Sequence, residues 1–277
     1  MNLPVIPDID THDNTKLSAF KKCRRFYYFR HVRHLVSKHG SSAALEFGKL
    51  LHRGLEIWYK TRDPRAALEA IEAFPFNEPV DDYRTRGRAL LVIARFIENY
   101  GIEKDLDILF TETSFNLEDE EGFRYGGRCD LGYKDNSGVW VEDFKSTSMD
   151  RHGYFQEWEV SAQMGGYAWG GSQLHGAPIK GIVLHRLLVR KNDEAFLRRP
   201  ILYPEWKMVE WREQTIITYH QIAEAFEKES FPPNWDACSG KYGFCPFHKV
   251  CKAAPGVRGK LLNSEFKEEP WDWQEDD

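Results

Sequence analysis

The stretch 127–145 constrains this chain more than any other. Two short β-prone runs, Arg128–Tyr133 and Val139–Lys145, are joined by Asp135, Asn136, Ser137 and Gly138, residue types that favour tight turns. The reading is a hairpin. Side chains alternate along a strand, so Asp143 and Lys145 share one face while Glu142 and Phe144 point the other way. With Asp130 on the same side as Asp143, the hairpin gathers two carboxylates and an ammonium. Such a cluster is costly unless it is solvated or holds a cation.

The flanking sequence says what can surround the hairpin. Apolar spacing predicts helices over Leu17–Lys38 (with Ser18 as N-cap), Ala43–Lys60, Pro64–Ala73 and Asp82–Tyr100. The period then shifts to two. Strands are expected over Ile108–Leu117, Phe123–Tyr133, Val139–Lys145, Ile179–Val189 and Ala195–Leu202, with helices over Glu157–Leu174 and Glu205–Glu229. This order predicts an α/β fold, a mixed central sheet flanked by helices. Residues 1–16 read as a lead-in and 17–254 as one domain. Within it, 17–104 is a helical part, 105–230 the core and 231–254 a cysteine-bearing segment. Residues 255–277 read as an acidic tail.

Charge is unevenly placed. The net charge is −5, yet Glu265–Asp277 alone carries seven acids and one lysine, and Lys21–His39 carries seven Lys or Arg and three His with no acid. The basic segment, interleaved with aromatics, suits either an amphipathic helix or a phosphate-facing surface. The acidic, aromatic tail reads as solubilising or as a segment that docks on a basic partner. No apolar run approaches the ~20 residues that span a bilayer, and the N-terminus carries no secretory pattern. The expectation is a cytoplasmic protein without a membrane partner. Five cysteines, an odd number, with Cys238, Cys245 and Cys251 close together, point to metal ligation in a reducing compartment rather than to disulfides. Thiolates suit an iron–sulfur cluster or Zn²⁺ alike. His248 lies inside this segment as a lesser ligand candidate, and Cys129 reads as a small buried residue.

Asp130 and Asp143 are suited to Mg²⁺ or Mn²⁺, which take hard oxygen ligands. The Phe144 carbonyl is a further candidate ligand. A bound ion would activate water and neutralise phosphate, and Lys145 would orient that water or stabilise the charge that develops. Gln163 and Tyr167, one turn apart on a predicted helix, can face one groove.

These residues stand in an order that resembles the PD-(D/E)XK nuclease superfamily, in its RecB-like exonuclease branch. Gly48-x-x-x-His52, Gly127-x-x-Asp130, Asp143-x-Lys145 and Gln163-x-x-x-Tyr167 match that branch's motifs in sequence. The resemblance covers roughly Leu17 to Cys251 and implies a restriction-endonuclease-like fold. It implies His52, Asp130 and Asp143 as metal ligands, Lys145 as the catalytic lysine, and Gln163 and Tyr167 as DNA-positioning residues. Glu112 stands where such chains often carry another acid, although a strand-edge charge explains it equally. The resemblance extends to the variety in which Cys23, Cys238, Cys245 and Cys251 hold a [4Fe–4S] cluster. The six residues between Cys238 and Cys245 exceed the commonest spacing, and structural Zn²⁺ is the alternative.

The implied activity is Mg²⁺- or Mn²⁺-dependent exonucleolytic cleavage of single-stranded or end-bearing DNA. It would serve recombination, repair or a phage or CRISPR-type process, with a recombination or single-strand-binding protein as a further partner and a prokaryotic or phage-encoded origin. No element suited to reading base edges, and no phosphate-binding motor loop, is evident. A non-catalytic DNA-binding or assembly module of the same fold and a zinc-stabilised interaction protein are the alternatives.

Overall fold

The computed structural model describes residues 11–38, 43–76, 82–118, 122–240 and 243–270. Where the sequence groups 17–254 together, the chain falls into two compact units. The first comprises Met1–Gly40, Asn116–Gly126 and Glu210–Asp276, and the second Ser41–Phe115 and Gly127–Val209.

The first unit opens with α1 (Asn14–Lys22), α2 (Arg24–Tyr27), a π turn (Tyr28–Val32) and β1 (Leu35–Ser37). This replaces the single helix expected over 17–38. Asp13, not Ser18, caps α1, its carboxylate accepting the Lys16 N–H at 2.6 Å. Cys23 then takes an extended conformation, φ −164° and ψ 114°, and its sulfur accepts the Asn234 N–H at 3.3 Å. No glycine or proline marks this break, so a tertiary contact overrides local propensity. Thr11, His12 and Asp13 are buried, so the described end of the lead-in is part of the fold.

The second unit begins with α3 (Ala43–Thr61), α4 (Pro64–Ala73) and α5 (Arg86–Tyr100). Asp63 caps α4 through the Arg65 N–H at 2.9 Å, with Pro64 in its first turn. Thr85 caps α5. The helices bury Leu51, Leu55, Trp58, Ile71, Ile93 and Phe96 in one cluster with Leu131, Phe144 and Leu187 of the sheet. Burial of side chains of this size contributes about 1.5–3 kcal/mol each.

Five strands follow: β2 (Asp107–Glu118), β3 (Arg124–Asp135), β4 (Gly138–Thr147), β5 (Gly181–Val189) and β6 (Glu194–Leu202). Their spatial order is β2-β3-β4-β5-β6. Strand β4 runs antiparallel to β3 and parallel to β5, and β6 returns antiparallel. The sheet is therefore mixed and flanked by helices, the architecture expected. The parallel crossover carries α6 (Gln156–Glu159) and α7 (Ala162–His175), where one helix over 157–174 was expected. Its glycines have a steric cause. A Cβ at Gly170 would lie 2.3 Å from the Phe115 ring, and one at Gly171 2.4 Å from Val141, so only glycine lets α7 approach the sheet this closely.

Helix α8 spans Glu205–Glu227. After a 3₁₀ turn at Trp235–Ala237 come β7 (Ser239–Gly240), β8 (Gly243–Phe244), α9 (His248–Lys252), α10 (Pro255–Glu265) and β9 (Phe266–Glu268). Residues 255–268, read from sequence as tail, are thus folded. Strand β9 pairs antiparallel with β1, and Leu262 and Phe266 are buried with Phe29, Leu35 and Phe247. The apolar spacing of Leu262 and Phe266 was the missed signal. Residues 271–277 of the expected tail lie outside the described residues. Among the described residues, no helix is long and apolar enough to cross a membrane.

Candidate active site

Three elements of the second unit bring ligand-type atoms together. Helix α3 supplies His52, β2 supplies Glu112 and β3 supplies Asp130, and one ligand atom from each lies within 4.8 Å of the other two. His52 Nδ1 is 3.4 Å from Glu112 Oε1 and 3.6 Å from Asp130 Oδ2. His52 Nε2 lies 3.0 Å from the Phe144 carbonyl oxygen, which can only accept. The proton therefore sits on Nε2 when the ring is neutral, and Nδ1 keeps its lone pair toward the carboxylates. The Phe144 carbonyl, expected as a metal ligand, orients His52 with one lone pair and keeps a second. Its N–H in turn donates to Asp130 Oδ2 at 2.8 Å.

Glu112 is held with φ at +40° inside a strand, a left-handed conformation that costs a non-glycine residue about 1–2 kcal/mol. Its second oxygen lies 3.0 Å from Arg128 Nε. The structure thus gives Glu112 a fixed place beside His52, and strain at a functional-type residue is the pattern expected where chemistry over-determines the backbone.

Strand β4 supplies the other two members. Asp143 is completely buried. Its Oδ1 accepts from Lys145 Nζ at 2.8 Å, while Oδ2 is buried without a hydrogen-bond partner among the described residues. Burial pushes the Asp143 carboxyl up to about 6, against the pull of Lys145 and with the Asp130 charge adding to the rise. Burial likewise raises Asp130, opposed by His52. For His52, burial alone would lower the pKa, but the Asp130 and Glu112 carboxylates outweigh it and raise it to about 9. Anionic oxygens packed this closely bind protons when no other cation is present.

Aromatic rings border the lysine. Its Nζ lies 5.5 Å from the Trp158 ring and 5.9 Å from the Tyr167 ring, within cation–π range. Gln163 donates to Tyr167 Oη at 3.0 Å, so this predicted pair shares one face of α7, with the Tyr167 ring beside Lys145.

Behind β4 lies a second charged cluster that sequence reasoning missed. Glu142 and His185 are completely buried, with His185 Nδ1 2.6 Å from Glu142 Oε1 and Arg198 Nε 2.9 Å from the same oxygen. Arg198 also donates to Glu103 Oε2 at 3.0 Å and to Tyr59 Oη at 2.7 Å. Burial opposes ionisation of Glu103, but Arg198 wins and holds its carboxyl below the usual range. Burial lowers the His185 pKa, with Glu142 pulling the other way. The available signal was a His-Arg pair inside an otherwise apolar strand, Gly181–Val189, since buried charges are rare without partners.

The cysteines form a separate constellation in the first unit. Cys23, Cys238, Cys245 and Cys251 line one small concavity with Lys22, Phe26, Asn234 and Phe247. Pairing of β7 with β8 brings Cys238 and Cys245 together, and the Cys245 N–H donates to the Cys238 carbonyl at 2.9 Å. Burial raises the pKa of Cys238 and of Cys245, and the neighbouring thiolates of Cys23 and Cys251 add to both shifts. His248 stacks on Phe244 with ring centroids 4.6 Å apart. Cys129 is buried, as expected of a packing residue.

Comparison with known proteins adds four findings. Residues 14–252 match the model of the PD-(D/E)XK nuclease superfamily. The crystal structure of a candidate exonuclease from Eubacterium rectale superposes with a TM-score of 0.53 at 11% identity, covering 91% of this chain and 95% of that one. That likeness is one of fold. The structure of SSO0001 aligns over 73% of this chain and 85% of its own with a TM-score of 0.30 at 15% identity, too low to carry an argument. No curated protein matches the chain.

Proposed function

The chain belongs to the PD-(D/E)XK nuclease superfamily, and from that premise we propose that it is a DNA exonuclease of the RecB-like branch, dependent on Mg²⁺ or Mn²⁺. The observation that carries the reading is the convergence of His52, Glu112 and Asp130 within 4.8 Å. The buried, unpartnered Oδ2 of Asp143 fits a cation in the same way. His52, Glu112, Asp130 and Asp143 would hold the ion, whose chemistry is to neutralise phosphate charge and acidify a water.

The chain's own groups do the rest. Lys145 offers donors where negative charge grows as water adds to phosphorus and the bond to the bridging oxygen breaks. The Phe144 backbone ties His52 and Asp130 to β4 through two hydrogen bonds, so the ligands and the lysine move as one body. Tyr167 borders Lys145, Gln163 is hydrogen-bonded to Tyr167, and the pair would orient the strand. The order of the four motifs along the chain supports the RecB-like assignment.

The convergence of four thiols on one concavity supports a [4Fe–4S] cluster held by Cys23, Cys238, Cys245 and Cys251. Thiolates suit structural Zn²⁺ as well, and the family resemblance, not the spacing, favours the cluster. It would join the two ends of the first unit.

The test is a metal-dependent assay on end-labelled single- and double-stranded DNA. Progressive release of nucleotides with Mn²⁺ or Mg²⁺, abolished by EDTA, is expected. Protein inert on ends, nicks and circles with either metal would overturn the reading. Anaerobically purified protein should absorb near ~400 nm and contain about four irons per chain; colourless protein with one zinc would replace the cluster assignment.

A further inference from the structure

Strand β5 sets a second cation beside the lysine. Its parallel pairing with β4 places Arg186 opposite Lys145 and His185 opposite Phe144. Adjacent strands stand about 4.8 Å apart and opposite residues share a face. Arg186 therefore rises on the Asp143–Lys145 side, while His185 joins Glu142 behind.

Arg186 is only 5% exposed, and a buried guanidinium demands compensation. Here it is incomplete. Nη1 donates to Asp150 Oδ1 at 2.9 Å, and the Tyr154 and Phe155 rings lie 5.3 and 5.7 Å from the guanidinium carbon. Nε is buried without a hydrogen-bond partner among the described residues. Moreover, the compensating carboxylate is not fixed in the core. The Asp150 side chain is 52% exposed and lies, with Tyr154 and Phe155, on the irregular segment between β4 and α6. Arg198 on the opposite face provides the contrast, held by Glu103, Glu142 and Tyr59 at once.

We propose that Arg186 is a phosphate-binding residue for DNA, and that Asp150 is an internal stand-in that the incoming phosphate displaces. The proposal rests on the nuclease reading above and adds to it a substrate contact one strand away from Lys145. A phosphodiester matches a carboxylate in charge and in acceptor geometry, and guanidinium is suited to receive either. Displacing Asp150 moves the segment that carries Tyr154 and Phe155, which frees the Nε–H for a second phosphate oxygen. The exchange replaces an exposed acid by a ligand that also meets the lysine side of the site. DNA thus competes with a residue of the chain for the same cation.

Opposite changes at the two partners test this. Binding of a fluorescent single-stranded oligonucleotide is measured by anisotropy in Ca²⁺ across a salt series, for wild type, Asp150→Ala, Arg186→Lys and Arg186→Gln. Removing the competitor in Asp150→Ala should tighten binding about 3- to 10-fold. Arg186→Gln should weaken it and reduce the slope of log K against log salt by ~0.7, the loss of one phosphate contact. Arg186→Lys should keep the slope. Asp150→Ala binding no tighter than wild type, or folded Arg186→Gln with an unchanged slope, overturns the proposal. Should Arg186→Gln not fold, the exposed Asp150→Ala decides alone. Wild type that neither binds nor cleaves DNA sinks the nuclease reading itself. Wild type that cleaves while Asp150→Ala binds no tighter sinks only this inference.

Discussion

Strand β4 has two charged faces, and they are built on different terms. Glu142 points back to His185 and Arg198, and Arg198 also holds Glu103. Asp143, one residue on, points forward to Lys145 with its other oxygen unpartnered. Half-buried Glu103 at the back and fully buried Asp143 at the front respond oppositely. Arg198 keeps Glu103 below the usual carboxylate range against burial, whereas burial drives Asp143 up to about 6 and raises Asp130. Burial therefore does not by itself mark a functional acid. What separates the faces is whether a guanidinium locked in the fold supplies the counter-charge or the site still demands a cation. The back face is a charge network closed within the fold; the front face keeps a buried carboxylate oxygen without a hydrogen-bond partner among the described residues.

The largest expected effect breaks that contrast at its centre. Asp143→Asn should reduce DNA cleavage on the order of 10³-fold or more, while thermal unfolding shows no loss of stability, because a fully buried charge whose ion pair is with the partly exposed Lys145 has gone. A parallel fall in activity and melting temperature would mean that Asp143 is structural after all. Glu142→Gln should do the reverse. It should cost about 3 kcal/mol of stability, since Arg198 and His185 lose a buried partner, and lower Tm by roughly 6–12 °C. Activity per folded molecule should stay close to wild type well below that Tm. Selective loss of cleavage in folded Glu142→Gln would move the back face into the catalytic machinery.

Much of the front face was legible in the sequence because it rests on spacing along single elements. Asp143 and Lys145 two apart on a strand, and Gln163 and Tyr167 four apart on a helix, need only the local period. Glu112 was harder, since its role follows from a left-handed backbone inside β2 that no residue type announces. The back face was illegible for another reason. Glu142, His185, Arg198 and Glu103 come from three strands and a loop, and only the sheet order joins them. The fold shows the same division. The five strands of the central sheet lie within two residues of their expected bounds, while the break at Cys23 and the folding of 255–268 against β1 depend on partners more than 200 residues away.

Two histidines packed around Phe144 sharpen the comparison through pH. His185, at the back, has its pKa lowered mainly by burial. It is neutral when folded and gains a proton more readily when unfolded. Its stabilising share is therefore complete above the unfolded value of about 6.5 and declines as pH falls below it. His52, at the front, is raised to about 9 by Asp130 and Glu112 despite burial. Its share is complete below about 6.5 and is lost as pH rises toward 9. In EDTA-treated protein, stability should fall on both sides, each group contributing at most ~1.4 kcal/mol per pH unit. His185→Gln should flatten the acid limb and His52→Gln the alkaline limb in denaturant titrations. Both substitutions flattening the same limb would refute the opposite signs.

The smallest effect concerns how the front face keeps its mobile cation. Lys145 is held by Asp143 at 2.8 Å, and any cation that engages Asp143 competes for that contact. The rings of Trp158 and Tyr167, 5.5 and 5.9 Å from the ammonium, provide a hold that the competition does not touch. Arg198 on the back face needs no such hold, because several carboxylate contacts share it. A cation–π contact in a partly desolvated site is worth about 1 kcal/mol, or roughly a fivefold change in rate. Trp158→Leu should therefore slow cleavage by about that factor with little change in KM, and Trp158→Phe should recover most of it. Equal losses for Leu and Phe would show that Trp158 acts through its volume, leaving Asp143 as the main hold on the lysine.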